Sequence, residues 1–512
     1  MAEKQNVTIS KRLVAINSAS SLLAKLINMT VLLWVYQYLL KRIPAEEFAV
    51  LPVVMALMVF APLFFSFFIG GISRYVVEAY AKGDFDRVTG LVSSILPPLA
   101  IAAVVFLAAG SVFALNIEKV LNIAPQMVGD ARIMMLMLVV SFSLQMLALP
   151  FGTGFHVRQR FVELNLIGVA RDVLRMILLF VLLLGIGPQV IWVVTATAIS
   201  EIAHTVATTL RSRMMVPELR FKRALYQRDQ ARELMSFGIW TTLGRLGSIM
   251  YTNAATIVLN LYGSAVDVTS YHIGSTFFRQ IDSTVNLAAQ PLQPVLTAMH
   301  ATEDRVRFGN TIFRAGRYAM WLVLAVATPL TIYSANFIAL YLGDDYAITS
   351  VVIVFFMIIF PFTQPNVALA MGAMATARVK EFFLPAFLFQ LAGLILMIVF
   401  VKYTDAGVLG VTASLTIVTV ISQLLYYWPL CLKLTGHGFK HFMTNLLIPG
   451  IAPAIGGGVV LVSLNIFTPP STWTSLMVCS LIGGLVYLLV LFAACLNEGE
   501  KADIRAMLAK FK

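Results

Sequence analysis

The sequence predicts an all-α polytopic membrane protein: about fourteen transmembrane helices, arranged as two parallel six-helix lobes followed by a C-terminal helix pair. Three observations carry this expectation. First, 59% of the 512 residues are hydrophobic and only 12% are charged. That is about half the charged share of an ordinary soluble domain, and the mean hydropathy is +0.86. Second, the apolar residues gather into stretches of about 20 or more, the length that crosses the hydrocarbon core of a bilayer. Third, the chain aligns with itself at an offset of 220 residues over its first twelve apolar stretches.

The spans fall at approximately 13–40, 48–70, 91–114, 131–153, 166–187, 189–210, 236–262, 265–290, 311–334, 349–373, 382–403, 407–430, 445–467 and 472–496. An even number places both termini on one side, and the basic residues choose the side. With a cytoplasmic N-terminus, the inside segments hold most of the Lys and Arg. The densest runs from Arg211 and Arg213 through Arg220, Lys222, Arg223 and Arg228 to Arg232. The outside loops hold only Lys41, Arg42, Lys119 and Lys402. The positive-inside rule therefore predicts cytoplasmic termini. The net charge of +12 is spread by topology and is not a nucleic-acid patch. The three cysteines, Cys431, Cys479 and Cys495, are too few and too scattered for a disulfide framework or a zinc site. The first apolar stretch is too long for a cleavable signal peptide.

In the 220-residue register Lys25 falls on Arg245, Asp84 and Arg87 on Asp304 and Arg307, and Asn116 on Asn336. Gly152 falls on Gly372, Arg158 and Arg160 on Arg378 and Lys380, and Arg213 on Lys433. Non-aliphatic matches of this kind carry weight where Leu on Leu does not. Six spans per copy make the copies enter the membrane in the same direction, so they are parallel repeats about an axis along the membrane normal. The domains are then an N-lobe at 1–210, a cytoplasmic connector at 211–235, a C-lobe at 236–432, and a last helix pair with a cytoplasmic tail at 433–512. The glycines of that pair, Gly456, Gly457, Gly458, Gly483 and Gly484, suit close helix packing.

Several spans carry basic residues well inside: Lys25, Arg171, Arg175, Arg245 and Arg279. A Lys or Arg at mid-membrane costs roughly 3 kcal/mol, tolerated chiefly beside a water-filled cavity or a partner. Ser21, Lys25 and Asn28 lie on one helical face of span 1. Thr241, Arg245, Ser248 and Thr252 form the corresponding stripe of span 7. Ser275, Arg279, Asp282, Asn286 and Gln293 form one on span 8. These stripes point to a hydrated cationic cleft, and hence to an anionic substrate. A plainer reading stands beside it. Arg279 and Asp282 are spaced to pair within their helix. Arg171 and Arg175 are placed either to snorkel or to pair with Asp172 or Glu201. Pro97-Pro98, Pro150, Pro291 with Pro294, and Pro361 with Pro365 interrupt spans, as static kinks or as hinges.

Other chemistries are poorly supported. No P-loop motif is present, which excludes a P-loop ATPase. No catalytic residues are identified, and the loops are too short for a catalytic domain. His437 and His441 have a metal-capable spacing but no convergent carboxylate, so no metal site is expected. Nothing supports the paired carboxylates of glycosyl transfer.

The stretch Ser236-Phe-Gly-Ile-Trp-Thr-Thr-Leu-Gly-Arg-Leu-Gly247, then Tyr251 to Gly263, then Tyr271-His-Ile-Gly274, resembles the start of the second lobe in polysaccharide flippases of the multidrug/oligosaccharidyl-lipid/polysaccharide exporter superfamily. The first span, with Asn17 and Lys25, is similar to theirs, and the span count and six-plus-six repeat match across nearly the whole chain. The resemblance implies translocation of undecaprenyl-pyrophosphate-linked oligosaccharide across the bacterial inner membrane by alternating access between two lobes. It implies that Lys25, Arg245 and Arg279 face the pyrophosphate or acidic sugars. One departure is plain: many relatives carry an acidic residue shortly before the apolar run that ends in Gly263, where this chain has Asn253-Ala254-Ala255. That departure speaks against a cation-coupling role at that position.

The reading of the sequence is therefore a lipid-linked oligosaccharide flippase. It needs no cofactor, and is open to coupling to a proton or sodium gradient. Its binding residues are Lys25, Arg245, Arg279, Arg171 and Arg175, supported by Ser21, Asn28, Thr241, Ser248, Asp282 and Asn286. Its partners are a lipid-linked anionic glycan, the bilayer and other glycan-assembly proteins, with no nucleic acid. The rivals are a drug/cation antiporter of the same fold, which should favour acidic cavity residues, and a membrane glycan polymerase or ligase, which should carry a large outer catalytic loop.

Overall fold

The computed structural model describes residues 30–58, 72–158, 160–232, 253–289, 292–301, 305–376, 378–497 and 500–501. All regular structure among these is helical. The chain divides into two compact units, Met1–Leu261 and Tyr262–Lys512.

Unit 1 contains α1 (Thr30–Leu40), α2 (Ala45–Met58), α3 (Ile72–Ala81), α4 (Phe85–Leu115), α5 (Pro125–Val157), α6 (Phe161–Gly185) and α7 (Ile191–Met215). A further helix, α8 (253–262), ends it. Unit 2 contains α9 (Ala265–Ala289), α10 (Leu292–Ala301), α11 (Arg305–Ile332), α12 (Ser334–Tyr341) and α13 (Ile348–Ala375). It continues with α14 (Lys380–Thr404), α15 (Gly407–Thr435), α16 (Phe439–Phe467) and α17 (Trp473–Cys495).

Nine of the described helices are long and apolar enough to cross a membrane. Helices α6 and α9 are also 25 residues long, but Arg171, Asp172 and Arg175 dilute the first, and Arg279 and Asp282 the second. Each expected span thus has a described helix at its position, with spans 1, 2 and 7 described in part. Outward-facing Ile101, Val104 and Val105 on α4, and Leu481, Leu485 and Leu489 on α17, are largely exposed, as lipid-facing surfaces of a bundle should be.

The repeat recurs in the packing. In unit 1, α5 packs against α2, α4 and α7, and α6 packs on α7. In unit 2, α13 packs against α9, α11 and α15, and α14 packs on α15. The same partner scheme therefore holds at equivalent spans. The last pair, α16 and α17, packs on itself and on α11.

The prolines act differently from one another. Pro97 and Pro98 lie inside a continuous 31-residue helix. A proline in a helix interior removes one backbone hydrogen bond, and the helical assignment of α4 continues through both. Pro150 sits in a 3-10 turn at Leu149–Thr153. Pro361 and Pro365 break α13 into short pieces, with a 3-10 turn at Gln364–Asn366.

That break is held by a close approach. A Cβ added at Gly316 of α11 would fall on the backbone carbonyl of Pro365. Gly316→Ala is therefore expected to destabilise the protein by about 1–3 kcal/mol through overpacking. Gly484→Ala is the comparator, because a Cβ there meets nothing within 4 Å. Thermal unfolding of the purified protein should separate the two, and equal midpoints would refute the contact. In the last pair, a Cβ on Gly457 would lie 3.0 Å from the Gly483 carbonyl oxygen. These two glycines do mark a close helix crossing, whereas Gly484 does not.

Candidate functional site

Of the predicted site residues, Lys25 and Arg245 lie outside the described residues, as do Ser21, Asn28, Thr241 and Ser248. Arg171 and Arg175 are described in unit 1, and Arg279, Asp282 and Asn286 in unit 2.

In unit 1, Arg171 sits about 15 Å along α6 from its first residue. Its guanidinium lies between two carboxylates: Nη2 is 2.9 Å from Asp172 Oδ1, and Nη1 is 3.3 Å from Glu201 Oε1 on α7. The three side chains are 24–31% exposed. Of the two sequence readings for Arg171, the paired one is the geometry found. Arg175 follows one turn along the same helix and is half-buried. The cluster joins α6 to α7 across helices that are otherwise apolar, where an ion pair is held by the poor alternatives its partners have.

In unit 2, Arg279 lies about 20 Å from the first residue of α9 and is half-buried. It does not pair with Asp282 three residues on. Its Nη2 donates to Thr276 Oγ1 at 3.2 Å, and it makes no ion pair with any described carboxylate. Asp282 is served elsewhere: Asn286 Nδ2 donates to Oδ2 at 2.9 Å, and Gln364 Nε2 approaches Oδ1 at 3.5 Å. The guanidinium thus keeps donors to spare inside a span, with room for an anion's oxygens.

Beside Asp282, the broken stretch of α13 contributes Gln364 and Asn366, only 3% and 9% exposed. Asn366 Nδ2 donates to Gln423 Oε1 on α15 at 2.8 Å, where α15 passes through a π turn. Gln364 Oε1 and Asn366 Oδ1 are buried acceptors without a hydrogen bond. Among the described residues, no three His, Cys, Asp or Glu gather as a metal site. The oxygens available to a hard cation are these amides and the Asp282 carboxylate. A concavity of about 340 Å³ between α5 and α7, and one of about 310 Å³ around Asn336 and Asp344, include none of the predicted basic residues.

Sequence reasoning missed three features. The Gln364–Asn366–Gln423 row was marked only by the prolines around it. Asn260 at the end of α8 exchanges two hydrogen bonds with the Asn122 backbone, 3.0 and 2.8 Å, with no local signal. The third is a buried ion pair between Arg317 and Glu500. Its trace was the Asn497-to-Glu500 spacing of a helix start, each residue capping the other's backbone N–H at 3.0 and 2.9 Å.

Between α15 and α16, His437 stacks on His441 at 4.4 Å and lies 5.1 Å from Phe313. Burial, and secondly His441, push its pKa below 6.5. A neutral His in the folded state and a protonatable one in the unfolded state contribute stability that is present above pH 6.5 and lost as pH falls through the lowered value. The thermal midpoint should therefore drop on acidification below 6.5, and His437→Gln should flatten that drop. An unchanged slope in the variant would assign the acid effect elsewhere.

Residues 14–300 match the family described as polysaccharide biosynthesis protein. A curated relative, "Uncharacterized membrane protein EpsK" of Bacillus subtilis, is 19% identical over 97% of this chain and 98% of its own length. Among solved structures, "Lipid II flippase MurJ, inward closed conformation" aligns with a TM-score of 0.70 at 17% identity, covering 92% of this chain and 98% of that one. An inward-facing multidrug resistance MATE family transporter of the MOP superfamily aligns at 0.64 and 12% identity, covering 80% and 95%. The fold is that of these transporters. By its matched residues, more than half of its length, the chain belongs to the polysaccharide biosynthesis protein family, as a multi-pass membrane protein.

Proposed function

We propose that this protein flips a lipid-linked anionic oligosaccharide, an undecaprenyl-pyrophosphate glycan, from the inner to the outer leaflet of the bacterial inner membrane. The observation that carries this is Arg279: a guanidinium deep in a span, with one hydroxyl contact and no described carboxylate. Membership of a polysaccharide biosynthesis family and a fold shared with a lipid II flippase support it. The headgroup enters a cationic cleft open to the cytoplasm, lined by Arg279 with Lys25 and Arg245. The N-lobe and C-lobe then rock, while the prenyl tail stays in lipid. No bond is made or broken, so the chain is a transporter rather than an enzyme. Both termini are cytoplasmic in this proposal, and a proton or sodium gradient drives the return step. Asp282, with the Gln364 and Asn366 oxygens, is the part of unit 2 suited to the coupling ion. Other glycan-assembly proteins supply and consume the substrate.

The drug-antiporter reading shares the fold but should favour acidic cavity residues, and among the proposed binding residues the basic ones, Lys25, Arg171, Arg175, Arg245 and Arg279, outnumber the one carboxylate, Asp282. The direct test is purified protein in vesicles carrying a fluorescent prenyl-pyrophosphate oligosaccharide. Protein should speed exchange of the label between leaflets well above protein-free vesicles. A rate equal to the blank, together with extrusion of a cationic dye, would replace the flippase reading by the antiporter.

A further inference from the structure

We propose that the connector following α7 is a docking surface for anionic phospholipid headgroups of the membrane in which the protein sits. Within unit 1 the connector is strapped across the first turns of α4. Thr89 Oγ1 donates to the Glu218 carbonyl, and the Lys222 and Gln227 backbone N–H groups donate to Ser93 Oγ and Ser94 Oγ, each at 2.9 Å. The three hydroxyl residues are 0–2% exposed. On the inner side Val216, Leu219 and Ala231 are buried. These bonds fix which residues face outward: Arg220, Lys222, Arg223, Arg228 and Arg232 are all exposed.

Two further facts separate this strap from an ordinary basic loop. None of these five cations forms an ion pair with a described carboxylate, whereas neighbouring Arg211 is paired with Glu163. Phe221 and Tyr226, set among the cations, are 47% and 43% exposed. Orientation by the positive-inside rule needs only charge. It needs neither buried hydroxyls holding the main chain nor aromatic rings turned outward. Unneutralised Arg and Lys with interleaved aromatics, held at the ends of membrane helices, match a headgroup layer: the cations meet phosphate and the rings sit at the interface. The proposal does not depend on the flippase reading.

The test uses the full chain purified in neutral detergent and titrated with fluorescent phosphatidylglycerol or phosphatidylcholine. Wild type should prefer phosphatidylglycerol. The triple variant Arg220→Gln, Lys222→Gln, Arg223→Gln should lose at least about tenfold in phosphatidylglycerol affinity, with phosphatidylcholine unchanged. The control Arg378→Gln, Lys380→Gln, Lys440→Gln, which removes the same charge from exposed positions of unit 2, should change it less than about twofold. Should the triple variant fail to accumulate, the single changes, each expected to cost about threefold, carry the test. Equal losses in the two trios, or no preference in wild type, would overturn the proposal. So would binding of a prenyl pyrophosphate without phosphatidylglycerol, which would make the strap a substrate-capture site.

Discussion

Arg279→Glu is expected to abolish glycan export. The measurement is surface glycan restored to a strain lacking its own exporter, at matched membrane levels of each variant. The change puts a negative charge where, on the proposed function, an anionic headgroup passes. At an effective dielectric near 20, two charges about 4 Å apart interact by roughly 4 kcal/mol, enough to prevent binding or passage. Arg279→Lys should retain more activity than Arg279→Ala, since a point charge still attracts phosphate. The alanine variant is a clean comparison. Asp282 does not depend on Arg279, being bonded to Asn286 and approached by Gln364. Full complementation by the Glu variant would take Arg279 out of the substrate path.

Glu500→Ala is expected to cost about 3–5 kcal/mol, the penalty for stranding one member of a buried pair. The Glu500 side chain is 2% exposed and that of Arg317 10%. Arg317 also donates to the Asn445 carbonyl at 2.9 Å and lies 5.3 Å from the Trp321 ring. Removing the carboxylate leaves this cation in a site closed to water. The pair ties the chain beyond α17 to α11, so the same variant should expose the C-terminal segment to limited proteolysis. Arg317→Met combined with Glu500→Leu should recover much of the lost thermal stability, because neither charge is then left alone. A Glu500→Ala protein that unfolds at the wild-type temperature would show the pair to be unimportant.

Within the candidate site, spacing placed Arg279 and Asp282 on one face of α9, and the structure agrees. Spacing equally allowed them to pair, and there the outcome depended on helices far away in sequence. Gln364 reaches Asp282 only because α13 breaks at Pro361 and Pro365 and turns its amide toward α9. Glu201 reaches Arg171 because α6 and α7 pack antiparallel at the right height.

What the sequence by itself determined was whatever the bilayer dictates. Solvation in lipid penalises every unpaired backbone group and every charge, so span length and helicity follow from composition. The 220-residue register likewise foretold the recurrent packing, because equivalent spans bury equivalent faces. Tertiary structure alone decided which buried polar groups are spent on one another and which remain to meet a ligand. Arg171 and Arg317 found carboxylates through contacts 30 and 183 positions away in the chain, and Arg279 found none among the described residues. Such pairing depends on the relative height and rotation of packed helices, to which hydrophobic periodicity is indifferent.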